Sequence, residues 1–276
     1  MAKTKFLKKS SLSQISLVSL SHQGKVRPNN EDRLAFQSYV TDEKTPRHIL
    51  LAVLSDGVGG NRAGEVAAQI GVESILGIFE KIVSLHDPAG TLKEVIIAAN
   101  LEVLNASAVK PELKGMGATC ICALIIEKKF YLASLGDSRA YLLRRRKMRQ
   151  LNFDHTWLED AEVGRNSGTK KFTRDHPLAH VLSRYLGSSH PALVDTRLRS
   201  EKRFLQADLP TIESLDLMKD DLILLCSDGL TDMLIDSEIK YAIRGKDLQE
   251  DTQQLIQLAL EKGGHDNVSV ILMKIP

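Results

Sequence analysis

The sequence predicts a layered α+β domain built on antiparallel sheets, and three observations point there. Two stretches of helical period follow an early apolar run, a series of short apolar runs separated by polar turns fills the middle, and a last helix precedes a last strand. No stretch reads as a domain linker. Residues 13–276 are therefore expected to form one domain behind a flexible basic tail, residues 1–12.

Taken in order, Ile15 to Leu20 can form a first strand. The run Ile49 to Leu54 is short, apolar and followed by Ser55-Asp56-Gly57, the pattern of a buried strand entering a turn. From about Ala63 to Val83, Val66, Ile70, Ile75, Phe79 and Ile82 recur near the helical period. Asp87-Pro88 punctuates, and a second helix from about Thr91 to Ala108 carries Leu92, Val95, Ile96, Ala99 and Val103 on one face. Ala118 to Ile126, Phe130 to Leu135 and Arg139 to Leu143 read as a meander of strands. Residues 153–177 are polar and aperiodic, a long surface excursion of the kind that is usually functional. Leu222 to Cys226 repeats the strand-then-acid theme ahead of Ser227-Asp228-Gly229. A helix from about Asp247 to Glu261 and a strand from Val268 to Lys274 close the chain, with Gly263-Gly264-His265-Asp266-Asn267 between them.

Composition narrows the class. With 276 residues, 43% apolar and 26% charged, the chain can bury a sizeable core without disulfides or structural metals. A net charge of +2 does not imply a polyanionic partner, so no nucleic acid is expected. No apolar run approaches the roughly 18 residues a membrane span requires. Serines interrupt the weakly apolar stretch after the basic start, which argues against a signal peptide. A monomer in the cytoplasm is the expectation. Cys120, Cys122 and Cys226 each lie in apolar runs and read as buried reduced thiols. Arg144-Arg145-Arg146-Lys147 is the only dense basic run, and it reads as a solvated hairpin turn able to attract acidic proteins.

The informative feature is a set of acids at strand ends among glycines: Asp32, Asp56, Asp137, Asp228 and Asp266. Three of them, Asp56, Asp137 and Asp228, directly follow strongly apolar strands. A carboxylate at the mouth of a buried strand is costly to desolvate unless positive charge meets it. No Arg or Lys stands beside Asp56, Asp228 or Asp266 in the sequence. A hard divalent cation, Mg²⁺ or Mn²⁺, would meet them, since such ions prefer carboxylate and water oxygens. One Asp-Gly after a strand is commonly a plain turn; five such sites are a pattern.

In order along the chain, the segments Gly24 to Asp32, Asp56-Gly57-Val58-Gly59-Gly60, Gly115 to Thr119 and Gly136 to Tyr141 are followed by four more. These are Asp154 to Trp157, Leu182 to Gly187, Ser227 to Leu230 and Gly263 to Val268. The ordered set resembles the metal-dependent serine/threonine phosphatases of the type 2C family, bacterial branch. That resemblance implies a four-layer αββα sandwich, two central antiparallel sheets flanked by helices, with a site at one edge. It implies two Mg²⁺ or Mn²⁺ ions bridged by Asp56, with the Gly57 carbonyl on one and Asp228 and Asp266 on the other. Asp32 and Glu31 would hold metal-bound waters, Asn267 would orient a ligand, and Arg27 would bind the substrate phosphate. Asp137, with Asp228, would hold a third and weaker ion. Asp56, Asp228 and Arg27 would thus carry catalysis.

The resemblance also implies a mechanism. Two ions roughly 3.5–4 Å apart lower the pKa of a bridging water, and the resulting hydroxide attacks phosphorus in line. Arg27 suits developing phosphoryl charge because its planar fork can bind two oxygens. The phosphorylated proteins so hydrolysed would be targets of bacterial serine/threonine kinases, and residues 153–177 take the place of the family's flap. Cysteine-dependent phosphatase chemistry is excluded: the required Arg six positions after Cys is instead Ile126, Lys128 or Asp232. Val58 stands where animal members carry His, leaving the proton donor unassigned among His155, His176, His180, His265 and water. The alternative reading is a catalytically weak relative that keeps the fold as a partner-binding module; loss of Asp56, Asp228 or Asp266 would favour it, and all three are present.

Overall fold

The computed structural model describes residues 6–10, 14–58, 63–159, 176, 178–199 and 212–276. Among them, the first half of the chain gives strands β1 (Leu7–Ser10), β2 (Ser16–His22), β3 (Arg33–Thr41) and β4 (His48–Ser55), then helices α1 (Gly64–Phe79) and α2 (Pro88–Val109). A meander follows: β5 (Cys120–Ile126), β6 (Lys129–Leu135), β7 (Arg139–Arg144) and β8 (Lys147–Gln150). The remainder is β9 (Leu215–Asp216), β10 (Leu222–Cys226), the single turn α3 (Asp228–Thr231), α4 (Asp236–Ala242), α5 (Leu248–Glu261) and β11 (Val268–Lys274). The strands form two antiparallel sheets, ordered β1-β3-β4-β5-β6-β9 and β2-β11-β10-β7-β8.

The apolar runs have a common cause. In β4, Ile49, Leu51 and Val53 pack against α1 and α2, while Leu50, Ala52 and Leu54 face the second sheet. In β10, Ile223 and Leu225 face the first sheet and Leu222, Leu224 and Cys226 pack under α5. A strand buried on both faces shows no polar alternation, which is why these segments read as continuous apolar runs. Three cores result: helices on sheet, sheet on sheet, and sheet on helices. Four layers, αββα, are the expected architecture. Each buried Leu, Ile or Val contributes about 1.5–3 kcal/mol to holding the layers together.

Local chemistry sets the helix starts. Asp87 caps α2 by accepting from the Gly90 N–H at 2.9 Å, and Pro88 occupies the first turn, where no N–H is needed. The Asp87-Pro88 pair is thus a helix start, three residues earlier than the periodicity suggests. Asp247 caps α5 in the same way, accepting from Gln249 and Glu250.

Some expectations need correction. The tail expected at residues 1–12 is not uniformly flexible: Leu7–Ser10 pair with Ser38–Thr41 as an edge strand, and Leu7 is buried in the first core. Helix α1 stops at Phe79 rather than Val83. β3 has no counterpart in the sequence reading, because its polar and apolar residues do not alternate cleanly. Most of the excursion, residues 160–175 and 177, lies outside the described residues, as do Gly59 and Gly60. The basic run forms the expected β7–β8 hairpin turn. No described helix is long and apolar enough to cross a membrane.

Candidate metal centre

Antiparallel pairing decides which strand ends share an edge. Arg33 pairs with Ser55, so Asp32 and Asp56, each one residue beyond, leave the first sheet at the same edge. In the second sheet Cys226 pairs with both Val270 and Arg139, which sends Asp228, Asp266 and Asp137 to a common edge as well. The two edges meet. Ser227 on the second sheet donates its hydroxyl to Asp32 Oδ2 at 2.9 Å, and the Glu31 N–H donates to Asn267 Oδ1 at 2.8 Å.

Each acid is held by the backbone around it. The Asp56 N–H donates to Thr119 Oγ1 at 3.0 Å, and the Asp56 carbonyl accepts from the Thr119 N–H at 2.7 Å. Thr119 is in turn bonded to Ser138 at 2.7 Å. Gly57 must be glycine: a β-carbon there would lie 2.4 Å from the Gly64 carbonyl carbon, so the chain passes the start of α1 at backbone contact. Asn267 ties the 23–31 loop to β11, donating to the carbonyls of Gln23 (2.7 Å) and Asn29 (2.8 Å), and its N–H donates to Asp266 Oδ1.

Electrostatics shows how strained this gathering is. Burial, reinforced by Asp266, pushes Asp32 up to about 6 despite hydrogen bonds from Ser269 and Ser227. Burial and then the charges of Asp32 and Asp228 drive Asp56 well above the ordinary carboxylate range. Asp228 is raised by burial, Asp137 and Asp232, and Asp137 is pushed up to about 6 by burial and Asp154. Glu31 is raised by burial and by Glu65. Burial is the largest cause of every one of these shifts, and neighbouring carboxylates in the same recess add to it.

The residues fit a divalent cation on a structural observation. Asp32 Oδ1 and Asp228 Oδ1 are buried with no hydrogen-bond partner, the signature of a missing positive ligand. Among the described residues no three His, Cys, Asp or Glu close around a point as a ready-made cage. Mg²⁺-type sites seldom need one, because such ions keep several waters and take one or two carboxylates each.

A positive group reaches the site from a distant stretch of the chain, a contact that local sequence does not reveal. Arg27 Nη2 donates to Asp266 Oδ2 at 2.5 Å across 239 positions of chain, and that bond raises the guanidinium pKa. With side-chain exposures of 44% and 33%, the pair sits at the rim of the recess.

The sequence reading passed over Thr119, Ser138 and Ser227 as individuals, although each lies beside a flagged Asp or Gly. It also passed over Asp232, whose charge raises Asp137 and Asp228. Two of the four candidate histidines are engaged elsewhere. His155 is buried, accepts the Gly136 N–H on Nδ1 and turns Nε2 toward Asp195 at 3.6 Å; His176 stacks on Trp157. Burial pushes the Cys120 and Cys226 thiols up to about 12, which leaves them inert.

The chain is similar to known proteins over nearly its whole length. A serine/threonine phosphatase, stp, of Listeria innocua is 29% identical over 91% of this chain and 92% of its own. The crystal structure of Stp1 from Staphylococcus aureus, a serine/threonine phosphatase, aligns at a TM-score of 0.76 with 30% identity, covering 96% of each chain. The catalytic domain of the serine/threonine phosphatase PstP, solved in complex with two manganese ions, aligns at 0.71 with 29% identity over 94% of this chain and 97% of that one. The profile described as "Protein phosphatase 2C" matches residues 17–268, from β2 to the start of β11, and with it every strand end that delivers an acid to the edge: the chain belongs to the protein phosphatase 2C family.

Proposed function

We propose that the carboxylate edge is the active site of a protein serine/threonine phosphatase that works with two divalent cations, Mg²⁺ or Mn²⁺, on phosphorylated proteins. The observation that carries this is the convergence of Asp32, Asp56, Asp228 and Asp266 from four chain segments, with two buried oxygens unpaired and Arg27 at the rim.

Asp56 would bridge the two ions, the Gly57 carbonyl would complete one, and Asp228 and Asp266 would complete the other. Bound there, the ions supply Lewis acidity to an attacking water and to the phosphoryl oxygens. The chain's own residues do the rest. Thr119 pins the Asp56 backbone from both sides, so the carboxylate is positioned before anything binds. Asn267 and Ser227 lock the loops carrying Glu31, Asp32 and Asp266. Arg27 can exchange its rim partner for a substrate phosphate at small cost, because a half-exposed ion pair contributes little, and its fork then neutralises charge that grows in the transition state. Asp137, near Asp228 and Asp232, would take a third, weaker ion. We read it further as a monomeric enzyme that opposes serine/threonine kinases in the cytoplasm.

The test is release of phosphate from a phosphothreonine peptide with Mn²⁺, with EDTA, and by an Asp56→Ala variant whose fold is checked by circular dichroism. Metal-dependent release that the variant lacks is the expected result. Equal release by the variant, or none by folded wild-type protein with Mn²⁺, would overturn the assignment.

A further inference from the structure

At the other end of the second sheet lies an open groove of about 1100 Å³, walled by the β7–β8 turn, the segment before β10, and α4 with the loop that follows it. Eight cationic side chains and two carboxylates line it, a net charge of +6. The whole chain carries +2, so everything outside the groove sums to −4. The basic character of this protein is therefore concentrated in one concave place.

That charge is not internally neutralised. Arg144 grips the buried Asp221 at 2.6 Å and Lys274 lies 3.4 Å from Asp220, which uses both carboxylates. Arg145, Arg146, Lys219, Lys240, Arg244 and Lys246 have no ion pair among the described residues. A second observation is independent of charge counting. Arg145 (φ 49°) and Arg146 (φ 62°) are the two central residues of a two-residue hairpin turn, where Asn-Gly is the easy choice. Two arginines in the left-handed region are uncommon there, and both line the groove. Apolar surface accompanies the charge: Tyr241 is 81% exposed and Met218 48%.

We infer that this groove docks an acidic segment of the phosphoprotein substrate, well separated from the phosphorylated residue; the substrate part of this inference rests on the phosphatase reading above. A concave wall suits a peptide and excludes a flat vesicle surface. One exposed tyrosine does not make a stacking platform for successive bases. Geometry sets the spacing. β10 runs from Leu222 on the groove wall to Cys226, two residues short of Asp228. At about 3.3 Å per residue the two sites are therefore about 20 Å apart. At about 3.3–3.6 Å per extended residue, at least six residues must separate phosphate from acid, and about ten or more to follow the surface.

Two measurements test this. The first is fluorescence anisotropy of a labelled, unphosphorylated hexaglutamate peptide with the full chain in EDTA, beside K240E/R244E/K246E. Saturable binding at low salt, weakened at least tenfold by the triple variant and by added salt, is expected. No saturable binding, binding indifferent to the variant, or tighter binding of a single-stranded oligonucleotide or of anionic vesicles would overturn the peptide assignment. The second is hydrolysis, with Mn²⁺, of phosphothreonine peptides bearing the same acidic segment about twelve or about three residues away, or none. The twelve-residue spacing should lower KM about tenfold with kcat unchanged, and the three-residue spacing should not. The triple variant should lose that advantage while keeping its rate on the short peptide, which also shows that it is folded. Equal KM for all three peptides would overturn substrate docking. Binding without hydrolysis of any peptide would support the groove and overturn the active-site reading alone.

Discussion

Replacing Asp32 by Asn should make the metal-free protein more stable and the metal-bound protein comparatively less so. Asp32 is 3% exposed, and its carboxyl is held near 6 where the ordinary value is 3.8. The gap of about two units, at 1.36 kcal/mol each, makes ionised Asp32 a destabilising element of about 3 kcal/mol at neutral pH. Asn keeps an acceptor for the Ser227 hydroxyl and removes the charge. At roughly 2–4 °C per kcal/mol for a chain of this size, the midpoint in EDTA at pH 7.5 should rise by up to about 10 °C. The sign with pH follows from proton binding. Between about 4 and 6 the folded state holds a proton that the unfolded state has released. The Asp32 contribution is therefore most favourable below about 4 and is lost as pH rises through about 6. The variant's advantage over wild type should accordingly shrink when the comparison is repeated at pH 5. Mn²⁺ narrows the comparison: at a hundred times Kd it adds about 2.7 kcal/mol to wild type, and less to a variant with a weakened site. Thermal unfolding followed by circular dichroism, with EDTA and with Mn²⁺ at both pH values, measures all four cases. A variant less stable than wild type in EDTA at pH 7.5, or equal Mn²⁺ shifts in both proteins, would refute the reasoning.

Three further outcomes are expected. Arg27→Ala should lower kcat/KM about ten- to a hundredfold through lost charged hydrogen bonds to phosphate, with Arg27→Lys recovering only part because it lacks the fork; steady-state kinetics on a phosphopeptide decide it. Gly229→Ala would place a β-carbon 2.0 Å from the Asn267 carbonyl oxygen, forcing α3 away from the Asp266–Asn267 turn. Its Mn²⁺ affinity by titration calorimetry should fall while secondary structure persists, and unchanged affinity would show that the turn yields without disturbing the ligands. Asp87→Ala removes the α2 cap and should cost about 1 kcal/mol in denaturant unfolding without altering hydrolysis.

Much of the fold was legible because burial leaves a local trace. β5, β10 and residues 49–54 of β4 are apolar throughout since both of their faces are covered, and α2 carries its core residues at helical spacing. β1 and β3 escaped notice for the converse reason. β1 is four residues at a sheet edge with two exposed lysines, and β3 mixes Arg33, Gln37 and Ser38 with Leu34 and Phe36. The candidate acids were legible too, because a carboxylate straight after a buried strand is an anomaly visible within a few residues.

The sequence by itself therefore determined the inventory: which strands are buried, which acids stand at their ends, and that oxygen ligands rather than thiols would carry the chemistry. Only the tertiary structure decided the relations. Pairing register brought Asp32 beside Ser227 across 195 positions and Arg27 onto Asp266 across 239. It left Asp32 Oδ1 and Asp228 Oδ1 without partners. It also gathered cations from β7, α4 and β11 into one groove at the far end of the sheet. Periodicity reports whether a residue is buried, since burial repeats with the local geometry of helix and strand. Which buried residues meet depends on strand order and register, and those are set by contacts between segments far apart in the chain.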